Sequence, residues 1–114
     1  MILYLTIFNT IDFSGTKTLD NLLGHDGVLI YPTHPVPAPY HGQSVLRPCN
    51  LSYTAVFNIL GFPATQVPLG LNSQGLPLGV QLVSGKGMDR NSLAVAVLVD
   101  KIMGGWRPPP CNTK

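Results

Sequence analysis

The sequence predicts an α/β fold, and three stretches carry that reading. Val28-Leu29-Ile30-Tyr31 is an unbroken apolar run of strand-forming residues closed by Pro32. Such a run argues for a strand buried on both faces, with helices to either side. Asn50 to Leu60 repeats apolar residues at helical spacing and stops at Gly61-Phe62-Pro63. Leu78 to Val83 is a second apolar strand, and an almost uniformly apolar helix follows it to Met103.

The remaining elements fall between these. Lys17 to Leu23 reads as a short helix with Leu19, Leu22 and Leu23 on one side and Gly24 as its C-cap. Pro32 to Pro39 holds four prolines in eight residues and can be neither helix nor central strand. It is an extended connection leaving the strand end. Asn50 is the expected N-cap of the second helix, in which Leu51, Ala55 and Ile59 recur four residues apart. Gly61 ends that helix and Pro63 forbids its continuation. Ala64 to Leu69 is extended, Gly70 to Gly75 is a loop, and the short connection makes Leu78 to Val83 an antiparallel neighbour. Gly79 inside that strand marks the close approach of another backbone. Gln81 is polar within a buried strand and needs partners, whether for structure or for a ligand. Asn91 or Ser92 starts the last helix, whose Leu93 to Val99 are apolar on all sides and are expected to be heavily buried. Gly104-Gly105 stops it, and Trp106 is expected to fold back as an anchor on the core.

Composition narrows the function. Of 114 residues 45% are apolar and only 11% charged, with no glutamate. A small free-standing domain needs a charged shell, because its surface is large relative to its core. The shortage of charge implies that much of the apolar surface is covered by other protein. A net charge of +2 without a basic cluster gives nucleic acid no electrostatic footprint. Nothing supports a disulfide between Cys49 and Cys111, which are read as free thiols. Met1 to Phe8 is apolar but too short to span a bilayer and lacks the flanks of a signal peptide. Residues 1–16 are left unassigned, and residues 107–114 are read as a flexible tail.

No catalytic constellation is visible. There is no Gly-x-Ser-x-Gly, phosphate loop, Cys-x-x-Cys or His-Glu-x-x-His. None of the six serines has an evident base beside it. His34 and His41, in and just past the proline-rich stretch, could form a metal or acid/base pair at a site mouth, or be ordinary loop residues. No third ligand stands at a recognisable spacing.

A resemblance supplies more. Asp26-Gly27-Val28-Leu29-Ile30-Tyr31-Pro32-Thr33-His34-Pro35 resembles the strand and proline-rich exit of the amidase signature family. So do, in order, Asn58-x-x-Gly61-Phe62-Pro63-Ala64, Val67-Pro68-Leu69-Gly70 and Gly75-Leu76-Pro77-Leu78-Gly79-Val80-Gln81. Leu46-Arg47-Pro48, Ser52-Tyr53-Thr54 and Gly104-Gly105-Trp106 look most like the fatty-acid amide hydrolase branch, type 2. The resemblance covers residues 17–106. It implies the C-terminal part of a mixed β-sheet core flanked by helices, incomplete as a domain.

The chemistry it implies is hydrolysis of fatty-acid amides through an acyl-enzyme, by a Ser–cis-Ser–Lys triad and without cofactor or metal. No residue of this chain matches the triad, so no catalytic residue is carried over and the chain alone is expected to be inactive. Leu51 and Ala55 match positions that line the acyl channel in that branch, although both could equally be plain core. The implied partners are a fatty-acid amide substrate and the missing N-terminal part of the same fold. An intracellular setting is implied, with membrane association of the complete enzyme left open. The alternative is a non-catalytic truncated paralogue that acts as a lipid- or protein-binding module.

Overall fold

The computed structural model describes residues 14–107. Met1 to Phe8, Cys111 and nearly all of the tail lie outside the described residues. Helix α1 (Ser14–Leu23) leads into strand β1 (Val28–Pro32). After the proline-rich stretch come two short 3₁₀ turns (Gln43–Leu46 and Pro48–Leu51) and helix α2 (Ser52–Leu60). Strands β2 (Ala64–Leu71) and β3 (Pro77–Ser84) follow, then helix α3 (Asp89–Met103).

The strands form one sheet in the order β1-β3-β2, with both pairings antiparallel. The described residues thus build an antiparallel portion of the α/β core. Strand alternation gives the sheet two faces. One face carries Leu29, Tyr31, Gln81 and Val83, and it is covered by Leu19 and Leu23 of α1 and Phe57 of α2. The other carries Ile30, Val67, Val80 and Leu82, and α3 lies on it, chiefly over β2 and β3.

Three local features explain why the chain turns where it does. Helix α2 ends in a Schellman motif: Gly61 sits at φ 73°, its N–H donates to Asn58 O at 3.3 Å, and Phe62 N–H donates to Phe57 O at 3.0 Å. The motif brings Phe62 onto Phe57, and both are buried in the core. The β2–β3 turn is organised by Asn72, whose Oδ1 accepts from the backbone N–H of Gln74 and of Leu76, each at 2.9 Å. Gly79 faces Gln66 and Val67 so closely that a Cβ there would lie 2.9 Å from Val67 O. The close approach predicted at this glycine is therefore real.

Four expectations need correction. Strand β1 is not buried on both faces: Ile30 is 59% exposed, because α3 lies over the other two strands. Asn50 does not cap α2. Pro48, which has no N–H to leave unpaired, opens a 3₁₀ turn that contains Asn50, and the α-helix begins at Ser52. Helix α3 is not heavily buried. It turns Ser92, Val95, Ala96 and Val99 to the sheet and leaves Leu93, Val97, Leu98 and Ile102 exposed. Trp106 is 70% exposed rather than an anchor, since the Gly104-Gly105 reversal returns the backbone to Asp100 O, 2.9 Å from Gly105 N.

Candidate functional site

The polar chemistry collects where β1 ends. Gln81 projects from β3 and is only 4% exposed. Its Nε2 donates to Pro32 O at 3.1 Å and to Tyr53 O at 2.8 Å. One carboxamide thus ties the end of β1 to the first turn of α2. Aromatic contacts reinforce the same seam: Tyr31 packs on Tyr53 with ring centroids 5.8 Å apart and edge-on against Phe57 at 5.3 Å. Next along the chain, Thr33 donates its hydroxyl proton to Gln66 Oε1.

Among the depressions beside this seam, two lie against the start of α2. An open groove of ≈ 510 Å³ runs between Thr33 and His34 on one side and Val45, Arg47, Leu51 and Thr54 on the other. A smaller pocket of ≈ 260 Å³ lies against Thr54, Phe57, Asn58, Ala64 and Gln81. The first falls in the size range of small-molecule sites.

The structure places the expected site residues differently from one another. Leu51 closes the second 3₁₀ turn, is 69% exposed and lines the larger groove. Ala55 lies one helical turn further on, half-buried on α2. His34 Nδ1 lies 2.7 Å from Val36 O, so that nitrogen carries the proton and donates to its own loop. His41 is exposed on the loop beyond. Among the described residues no group of three His, Cys, Asp or Glu could hold a metal ion.

Three serines are occupied locally. Ser52 Oγ donates to Cys49 O at 2.5 Å, Ser84 Oγ to Met88 O at 2.9 Å and Ser92 Oγ to Asp89 O at 2.9 Å. Ser92 also meets Thr65 across α3 and β2, Oγ to Oγ1 at 3.0 Å. A hydroxyl that donates to a nearby backbone carbonyl acts as a local structural clip. Cys49 is a free, exposed thiol, and no described helix is long and apolar enough to cross a membrane.

The polar pocket-lining residues that the sequence did not single out as a group are Thr33, Gln66, Thr54 and Asn58. Their convergence depends on the β2–β3 register, which sets Gln66 opposite Gln81, and on the angle of α2. The one usable signal was a glutamine in each of two apolar strands.

Comparison with known proteins gives this seam a family. The family model described as Amidase matches residues 4–93. Fatty-acid amide hydrolase 2-A of Danio rerio is 58% identical over 97 residues, which is 85% of this chain. Fatty-acid amide hydrolase 2 of Homo sapiens is 50% identical over 102 residues, 90% of this chain. Fatty-acid amide hydrolase 2-B of Danio rerio is 50% identical over 93 residues, 82% of this chain. The chain spans only 18–19% of the length of these relatives. With the family model covering most of its residues, and the strand, proline-rich exit and Gly-Phe-Pro turn in place, the chain belongs to the amidase family.

Proposed function

We propose that this chain is the C-terminal part of a serine amidase of the fatty-acid amide hydrolase type. The complete enzyme would hydrolyse fatty-acid amides to fatty acid and amine. The observation that carries the reading is 58% and 50% identity to two fatty-acid amide hydrolases across most of the chain.

In this reading the chain supplies scaffold and wall rather than the reacting groups. The Ser–cis-Ser–Lys triad would come from the remainder of the fold, so the chain alone would be inactive. Leu51 would line the acyl channel, with Ala55 one turn further along the same helical line. An apolar wall favours a lipid chain by about 0.8 kcal/mol for each CH₂ it buries. Exposed Leu51 and Ile59, and the outer side of α3, would be covered by the rest of the domain.

The size of the native gene product tests the reading. A tag or antibody directed at Lys114 should reveal a band several times heavier than 12.2 kDa. A product near 12.2 kDa would withdraw the hydrolase reading in favour of a non-catalytic lipid- or protein-binding module.

A further inference from the structure

Helix α3 carries its charges only at its two ends. Asp89 and Arg90 stand in the first turn, Asp100 and Lys101 in the last, and residues 91–99 between them are uncharged. Asp89 and Lys101 suit their places, because an acid at the N-terminus and a base at the C-terminus complement the helix macrodipole. Arg90 and Asp100 are the wrong way round, each at the helix end of its own sign. Both are exposed, and among the described residues neither side chain has a hydrogen bond or ion pair that would offset this.

The outer side of the helix is regular. Arg90, Ala94, Val97 and Lys101 recur at the four-three-four spacing of a helix seam and form its crest, all of them exposed. Asp89, Leu93 and Asp100 share one flank of that crest, while Leu98 lies on the other. Leu93, Val97 and Leu98 are each more than half exposed. The charges are also self-complementary along the axis. Asp89 and Lys101 lie six residues to either side of Val95, and Arg90 and Asp100 lie five.

We propose that the outer face of α3 is the interface of a symmetric dimer of this chain, with two copies of the helix antiparallel and Arg90 of each against the partner's Asp100. Antiparallel pairing centred at the level of Val95 also sets Asp89 level with the partner's Lys101. Two-fold symmetry brings the acidic flank of one copy beside the same flank of the other, within reach of both crest bases. Every charge of the helix then meets its opposite, and the misplaced pair gains a purpose. Parallel helices would set like charge on like, and a slide of one turn, about 5.4 Å, would separate all the pairs. Leu93, Val97 and Leu98 supply the burial that holds the copies together. The ion pairs fix register more than strength, since exposed pairs contribute little. One face of a 15-residue helix is smaller than a standard interface, so the dimer is weak and reversible. Catalysis plays no part in it. In the complete enzyme of the proposed reading the rest of the domain would lie over this face, so the pairing belongs to the 114-residue chain.

Sedimentation equilibrium of the full chain tests the pairing by exchange of charge. The wild-type chain should show a reversible monomer–dimer equilibrium. Arg90→Asp and Asp100→Arg each set like charges together at both ends of the dimer, and each should weaken it at least about ten-fold. Neither should lower stability in urea unfolding, because each substitution brings its helix end into accord with the macrodipole. Mixed in equal amounts, the two variants should form a heterodimer of near wild-type affinity, since every like pair becomes an opposite one. A chain that stays monomeric, association that ignores either substitution, or a mixture as weak as its separate components would each overturn the proposal. So would a monomer that instead co-sediments with phosphatidylcholine vesicles, which would give the face to a lipid surface. None of these readouts depends on hydrolysis, so the amidase reading keeps its own test.

Discussion

The two faces of the sheet are covered in opposite ways. On the α1/α2 side large side chains point inward: Tyr31, Phe57, Phe62, Leu19 and Leu23 close on one another around Val83. On the α3 side the helix meets the sheet through small residues, and only Ser92 of that helix is fully buried. Its large side chains point away, with Ile102 72% exposed. The first face is a finished core. The second is a spacer whose outer surface is as apolar as its inner one, the pattern of a helix meant to be covered on both sides. The difference shows that apolar residues in one small chain can close a core on one face and stay on the surface on the other.

Substitutions can break this comparison. Phe57→Ala should have the largest effect, about 3–5 kcal/mol of destabilisation, because it removes a ring at the centre of the closed core. Urea unfolding followed by far-UV circular dichroism would measure it. Gln81→Leu should cost about 2–3 kcal/mol, since two bonds are lost and the Pro32 and Tyr53 carbonyls lose a donor. Hydrogen exchange at Tyr53 and at the end of β1 should rise with it. Leu98→Lys with Ile102→Lys should change stability by no more than about 0.5 kcal/mol, while sharply reducing self-association in analytical ultracentrifugation. If that pair proved as costly as Phe57→Ala, the outer side of α3 would be core and the comparison would fail. Ala55→Trp bears on the proposed acyl wall instead. In a complete enzyme it should impair long-chain amides more than short ones in kcat/KM, and an equal loss on both would remove Ala55 from the channel.

How much of this was legible in the sequence follows from which signals are local. The Gly61-Phe62-Pro63 exit was readable because a Schellman turn needs only its own residues. Gly79 and Gln81 were readable as anomalies, a missing side chain and a polar one inside an apolar strand. Burial was not readable. Ile30, Trp106 and the outer residues of α3 are apolar, but the sequence says only that they seek cover, not whether this chain provides it. The start of α2 was misplaced because Asn50 is a good cap by type, while Pro48 two residues earlier favours a 3₁₀ turn. The pocket beside Gln81 was invisible for a different reason. Thr33, Thr54, Asn58 and Gln81 lie far apart in sequence, and the strand register together with the placement of α2 brings them to one pocket.

The most direct measurement is a segment exchange. The stretch of Danio rerio fatty-acid amide hydrolase 2-A that matches this chain would be replaced by the chain's own residues, and hydrolysis of a long-chain fatty-acid amide measured. The account predicts a folded chimera whose kcat/KM stays within about ten-fold of the parent, since in the proposed reading the exchanged segment would supply wall and scaffold and leave the triad untouched. A chimera that folds, binds the amide and yet fails to hydrolyse it would contradict the claim that this chain serves as part of a fatty-acid amide hydrolase.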